Sequence, residues 1–308
     1  MDDFIKNRPA LKKAVIDAYY GSNVDFESLT DLQKQNLQFA ISSNERGFNT
    51  IVALEYAGIN FRNAYVLDIG CAYGGYTIEA CRRGASTAFG VDVNDHFIFL
   101  ANQNLTDERN DIASRCKFLT CDMTTEQSQA LPLNFFNVIL VNDVFEHIYD
   151  TTRLMEIMRR VATPDCVLYF EIPNGLHFFD FVEKEPHYYE YGMSLLEPSY
   201  CSYKDVFYRR WDYYAALFSW FGFSNIEQLT PPHRLKRASI CNELHNKQSE
   251  LEKNLRSRFA HDDSETAKVI ITKLEAFSAE MNHDMENLEV EALHMKYLMA
   301  FWKGIARK

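Results

Sequence analysis

The 308-residue chain has no run of about 18 consecutive apolar residues, which excludes a membrane-spanning helix on hydropathy grounds. It has no basic excess either. Thirty-two Lys and Arg stand against 43 Asp and Glu, a formal net charge of −11. That is the wrong sign for a protein whose main partner is a nucleic-acid backbone or an anionic membrane. The seven cysteines contain no C-x-x-C pair, so neither a disulfide frame nor a zinc-ligand spacing is present, and no metal is expected. The opening stretch MDDFIKNRPALKKAV lacks the apolar core of a secretory signal. Scattered thiols without an export signal predict a cytoplasmic protein. Internal repeats and low-complexity tracts are also missing.

What is present is a large apolar fraction, 47% of residues, enough to bury a sizeable core. In the first 60 or so residues the segments LKKAVIDAYY, LTDLQKQNLQFAISS and FNTIVALEYAG place apolar residues at three- and four-residue steps, which predicts helices. From Tyr65 the period changes. YVLDI, STAFGVDV, CKFLTCD, FNVILVND and CVLYFEIPN are short apolar runs of buried-strand type, separated by helical segments such as GYTIEACRR and TTRLMEIMRRVA. Strands alternating with helices predict an α/β fold with a Rossmann-like, doubly wound, mostly parallel sheet. The expected organisation is a helical N-terminal cap (1–64), a core (65–232) with an aromatic-rich substrate insert at about 176–210, and a helical C-terminal extension (233–308).

In that extension Ala267, Ile270, Leu274, Phe277, Met281, Met285, Leu288, Ala292, Met295 and Leu298 form one stripe. They predict a single helix from Ser264, roughly 50–60 Å long at 1.5 Å per residue. It reads either as half of a hairpin packed on its own chain or as an arm for a homodimer.

Ligands of such sheets sit outside the carboxyl ends of the strands. Those ends carry Asp68, Asp92, Asp122 and the pair Asn142–Asp143, with Glu146 and His147 just beyond. The first strand runs into GCAYGG, a turn of little bulk that lets a ligand approach the backbone. An acid at the head of that turn would repel a pyrophosphate and attract a cation. Asp92, near the end of the second strand, is placed to accept ribose hydroxyls. A positively charged nucleoside without phosphate fits both demands, and S-adenosyl-L-methionine is such a molecule. Asp92 and Asp122 also read as turn or capping carboxylates, and Asp143 and Glu146 as solvated acids.

The ordered segments DIGCAYGG, GVDVND, TCDMTT and FNVILVNDVFEHI resemble class I S-adenosylmethionine-dependent methyltransferases over residues 62–175. DVFEHI is most similar to the ubiquinone-pathway, sugar and natural-product members. The resemblance implies that the turn Gly70–Ala72–Gly74, helped by Asp68, holds the amino-acid part of the cofactor. It implies Asp92 on the ribose with Val93 beside the adenine, Asp122 and Met123 on the adenine, and Asn142 supporting the methionine end. Ala72 departs from the family's usual glycine. From the cap, Arg46 is expected to reach the cofactor carboxylate.

Methyl transfer from a sulfonium asks a protein mainly for alignment, and for a base when the nucleophile is a hydroxyl. His147 is the candidate base, since histidine suits proton transfer near neutrality; His177 and His187 are rivals. The expected substrate is a small molecule, a hydroxyl on a sugar, a sugar-linked compound or another metabolite. Arg209 or Arg210 would pair with an anionic substituent. An amine acceptor such as an amino sugar is the alternative, and a cofactor-binding scaffold without activity is a third reading.

Overall fold

The computed structural model describes residues 8–22, 24–176, 207, 209–229 and 236–308. The expected insert, with His177 and His187, falls almost wholly outside them. The chain opens with α1 (Pro9–Tyr19), α2 (Asp31–Ile41) and α3 (Ser43–Tyr56). Proline at the start of α1 and a Thr30–Gln33 capping box on α2 set two of these starts.

The core then alternates: β1 (Tyr65–Ile69), α4 (Gly75–Arg82), β2 (Thr87–Asp92), α5 (Asp95–Leu105), β3 (Cys116–Thr120), β4 (Phe136–Asn142), α6 (Thr151–Val161), β5 (Ala162–Pro173), α7 (Trp211–Trp220) and β6 (Asn225–Gln228). Two long helices follow, α8 (Arg237–Arg258) and α9 (Glu265–Asn287), and the chain closes with β7 (Phe301–Arg307).

The seven described strands are ordered β3-β2-β1-β4-β5-β7-β6. β3, β2, β1, β4 and β5 pair in parallel, and β7 runs antiparallel between β5 and β6. Successive side chains alternate faces. Leu67, Ile69, Val91, Ile139, Leu168 and Phe170 pack with α6 and α7 on one side, burying Leu154, Met158, Tyr214 and Phe218. Val66, Ala88, Val138, Leu140 and Tyr169 meet α3 and α4 on the other, burying Ile51, Leu54, Ile78 and Cys81. Each buried Leu, Ile or Phe contributes about 1.5–3 kcal/mol, so this double-faced core holds the strand ends in place.

The N-terminal helices dock backbone to backbone on the turn after β1. A Cβ on Gly47 would stand 2.5 Å from the Gly75 carbonyl oxygen, and one on Gly75 would overlap the Ser43 carbonyl. Buried Arg8 donates Nε to Asn104 Oδ1 at 2.7 Å and pairs with Glu108 at 2.5 Å. Asn44 and Asn104 exchange hydrogen bonds of 3.0 and 3.1 Å, and Asn104 Nδ2 donates to the Tyr73 carbonyl at 2.7 Å.

The C-terminal end differs from the expected single helix. Ser264 does cap α9, accepting from the Ala267 N–H at 3.1 Å. The helix stops at Asn287, and the stripe continues through a turn (Val290–Leu293) and a π-helix (His294–Leu298). Asn174 Nδ2 faces the carbonyls of Met295, Lys296 and Met299, the last at 2.9 Å, and satisfies groups that a regular helix would have bonded internally. Residues 301–307, expected to be helical, are a sheet strand instead. The stripe is covered within the chain by Ile240, Leu244, Leu251 and Leu255 of α8 and by Tyr297, so the feature that suggested a homodimer arm is accounted for by the hairpin reading. No described helix is long and apolar enough to cross a membrane.

Candidate functional site

Strand order reverses at the β1–β4 pair, since β2 lies on one side of β1 and β5 on the far side of β4. In an open parallel sheet the crevice at that reversal is where a ligand enters. Two sets of residues line it, from the turn after β1 with the ends of β2 and β3, and from the ends of β4 and β5.

The turn takes its shape from the β2 strand. The Gly70 and Cys71 N–H groups both donate to the Val91 carbonyl, at 2.8 and 3.0 Å. Gly70 and Gly74 have φ of 71° and 79°. A Cβ on Gly74 would meet the Phe118 ring at 2.6 Å, and one on Gly70 would strike Val144. These glycines are therefore demanded by protein packing in its own right. Ala72 is the exception, a side chain at φ 43°, where an L-residue costs about 1–2 kcal/mol. Its N–H donates to Asp92 Oδ2 at 3.1 Å, while Asp92 Oδ1 accepts from Asn94 N at 2.9 Å. Asp92 is half-buried at the mouth, so its carboxylate is oriented by two backbone donors and keeps lone pairs for a ligand. Val93 beside it is 64% exposed.

Asp68 is placed differently from the expectation. Strand alternation puts it on the face of Val66, beneath α4. There Oδ2 accepts from Thr77 N at 3.1 Å and Thr77 Oγ1 at 2.7 Å. The side chain is 2% exposed, and burial raises the carboxyl to about 7 against those two hydrogen bonds. Asp68 thus anchors the first turn of α4 through Oδ2. Thr77, nine residues downstream in the first turn of a helix, is the signal that could have revealed this.

Asp122 accepts from Thr124 N at 2.8 Å and Thr124 Oγ1 at 2.7 Å, the capping geometry that competed with a ligand role. It remains half-buried next to Asp92, whose carbonyl accepts from Cys121 N at 2.8 Å. Met123 is buried.

Across the reversal, Asn142 Oδ1 accepts from the Tyr76 hydroxyl at 3.1 Å, and Asn142 Nδ2 donates to Asp143 Oδ2 at 3.1 Å. Asp143 sits at φ 51°, with its N–H on the Glu171 carbonyl at 3.0 Å. Asp143 is exposed, yet the surrounding protein mass strips hydration from its carboxylate. That desolvation, and then the Glu171 charge, raise it to about 6. Glu171 Oε2 accepts from the Tyr169 hydroxyl at 2.7 Å, and Oε1 pairs with Lys303 Nζ at 2.5 Å.

Lys303 reaches this point because β7 sets it opposite Glu171; sequence reading missed it by assigning residues 301–307 to a helix. Tyr76 was also missed as a site residue. His147 is 54% exposed in its side chain, with Nε2 3.8 Å from Glu146 Oε1.

Arg46 lies over the Phe39 ring and donates to the Phe39 carbonyl at 2.8 Å and Ser42 Oγ at 2.7 Å. Its charge is felt by Asp143 across the crevice. The two later arginines are engaged elsewhere. Arg209 donates to the carbonyls of Phe145, Ile148, Tyr149 and Phe207, and Arg210 pairs with Glu280. Both are thus bonded within the chain. Among the described residues no group of three or more His, Cys, Asp or Glu is arranged to hold a metal.

A family model described as a methyltransferase domain matches residues 60–217. A ubiquinone biosynthesis O-methyltransferase of Actinobacillus pleuropneumoniae serotype 5b (strain L20) is 28% identical over 109 residues, 35% of this chain and 45% of that protein. The chain thus aligns with less than half the length of this curated relative. Haemonchus contortus phosphoethanolamine N-methyltransferase 2, in complex with S-adenosyl-L-methionine, has a TM-score of 0.52 at 15% identity over 96% of this chain and 59% of that one. The same enzyme with phosphomonomethylethanolamine and S-adenosylhomocysteine gives 0.51 at 14% identity, over 96% and 60%. At such identities the likeness is one of fold.

Proposed function

Because this chain belongs to the methyltransferase domain family, among the class I S-adenosylmethionine-dependent members, we propose that it methylates a hydroxyl of a small molecule. The observation that carries the reading is Asp92, held at the mouth of the reversal crevice by the Ala72 and Asn94 N–H groups. In this assignment Asp92 takes the ribose hydroxyls, exposed Val93 covers one adenine face, and Asp122 with Met123 borders the other end of the base. The Gly70–Gly74 turn and Asn142 hold the methionine part. Asp68 contributes by fixing α4, and Arg46 faces the carboxylate from the cap. Residues 1–64 act as a cover and the insert near 176–210 as the acceptor's wall.

Bound there, S-adenosyl-L-methionine supplies a methyl carbon already activated by a sulfonium. The chain's own part is to exclude water, align the acceptor oxygen and receive its proton. His147, exposed beyond β4, is the candidate exit for that proton. A sugar or other polyhydroxylated metabolite suits the tyrosine, asparagine and carboxylate groups at the ends of β4 and β5. A second reading, transfer to an amine, is favoured by one observation: Asp143 and Glu171 give this side an acidic excess over Lys303 that would attract an ammonium.

Titration calorimetry tests the cofactor assignment. Wild type is expected to bind S-adenosyl-L-methionine and S-adenosylhomocysteine, and Asp92→Ala to lose roughly tenfold or more in affinity, the loss expected for hydrogen bonds to a charged group. Undiminished binding by Asp92→Ala would overturn it. A panel of hydroxyl and amine acceptors, read by mass gain, separates the two acceptor classes.

A further inference from the structure

Glu146 is an unusual glutamate. It lies in the 3-10 turn Phe145–His147 just past β4, and 4% of it is exposed. Its Oε2 is buried and has no hydrogen-bond partner. The hydroxyl of Tyr214, fully buried in α7, lies beside Arg209 and feels the Glu146 charge. Leaving a buried carboxyl oxygen such as Oε2 unpaired is costly, and more so if it is charged, so a fold that keeps one calls for an explanation. The backbone of this turn is held firmly: the Glu146 carbonyl accepts from Phe207 N at 2.6 Å, and Arg209 donates to the carbonyls of Phe145 and Ile148. The backbone that carries the side chain is therefore fixed.

The groups facing Glu146 sharpen the point. Asp143 and Glu171 on the β4 and β5 ends share its sign. Lys303, the nearby cation from β7, is committed to Glu171 at 2.5 Å, and Arg46 in the cap is bonded to Phe39 and Ser42. His147 stands 3.8 Å away on the solvent side. Burial first, then the Asp143 charge, raises the Glu146 carboxyl to about 8. In the free protein near neutrality it is mostly the neutral acid.

Resting on the methyltransferase reading above, we propose that Glu146 is the proton acceptor of the transfer. It waits as a neutral acid and becomes a carboxylate when the positively charged methyl donor enters the crevice. His147 is the route by which that first proton reaches water. The balance then closes. On donor binding, one positive charge enters and one proton leaves. In the transfer, the acceptor oxygen gives its proton to Glu146 Oε2 and its electron pair to the new O–C bond, while the S–C pair stays on sulfur. The crevice ends with a neutral sulfide and a neutral Glu146, the charge state in which it began.

The test needs no acceptor. Titration calorimetry at about pH 7, run in phosphate and in Tris, counts protons from the buffer dependence of the heat. Wild type is expected to release on the order of half a proton or more with S-adenosyl-L-methionine and close to none with uncharged-sulfur S-adenosylhomocysteine. Glu146→Gln should abolish the difference while binding S-adenosylhomocysteine within about threefold of wild type. Equal counts for the two ligands, or wild-type release by Glu146→Gln, would overturn the proposal. So would loss of the release in His147→Gln alone, or the same release caused by magnesium without any nucleoside. If Glu146→Gln does not fold, Glu146→Asp replaces it, and the pH of half-maximal release must shift; an unshifted value overturns the assignment. No heat with either ligand on wild type would instead remove the methyltransferase reading itself.

Discussion

The two sides of the crevice use the same residue type in opposite ways. On the β1–β3 side, Asp68, Asp92 and Asp122 each accept at least two hydrogen bonds from nearby backbone or hydroxyl donors. On the β4–β5 side, Asp143 and Glu146 crowd Glu171 and one another, and Glu146 keeps a bare oxygen. Carboxylates satisfied by fixed donors shape a surface and stay put. A buried carboxyl short of donors, as Glu146 is, holds its proton to a higher pH, about 8 against about 7 for Asp68 with its two donors. In the proposed reading Asp92 and Asp122 serve recognition of a constant ligand, and Glu146 the changing charge of a reaction.

The largest expected effect tests the first half of that contrast. Asp68→Ala strands the Thr77 N–H and hydroxyl beneath α4, and stability should fall by roughly 2–3 kcal/mol in denaturant unfolding. A change within error would mean that α4 does not depend on this anchor.

On the other side the sign reverses. An unfolded glutamate ionises at about 4.3, whereas burial holds Glu146 near 8. Ionisation therefore opposes the fold, and wild type loses stability as pH climbs between those two values. Glu146→Gln lacks this loss. Its margin over wild type should grow across the same window and level off above it, reaching about 1 kcal/mol or more in thermal melts at high pH. A flat margin would erase the contrast.

The smallest effect is at the junction. Ala72→Gly relieves a positive φ but loosens the unfolded chain, so the net gain should stay under about 1 kcal/mol. Cofactor affinity should change little, because the N–H bonded to Asp92 remains.

The first five strands were legible because each is a short apolar run ending in a polar residue, and the reversal crevice follows from their alternation with helices. Asp92 was legible from its place after β2. The Asp68–Thr77 bond was not, because reading Asp68 only as the head of a glycine turn ignored the two-residue period that sets it beneath a helix. Lys303 was hidden for another reason. Leu288, Ala292, Met295 and Leu298 keep stepping by threes and fours after α9 has ended, so periodicity carried the helix on towards β7. What stops it is Asn174, a residue from the far end of β5, and no local pattern announces a contact that distant.

Placing the α8–α9 hairpin between β6 and β7 has a consequence for synthesis. Among the described strands β6 pairs with β7 alone, so neither it nor the flank of β5 is closed until residues 301–307 leave the ribosome. A product that stops short of Phe301 exposes the amides and carbonyls of β5 as an open seam that other chains can join. The last seven-residue strand works as a zip fastener, and nascent chains of this protein depend on whatever shields that seam until it closes.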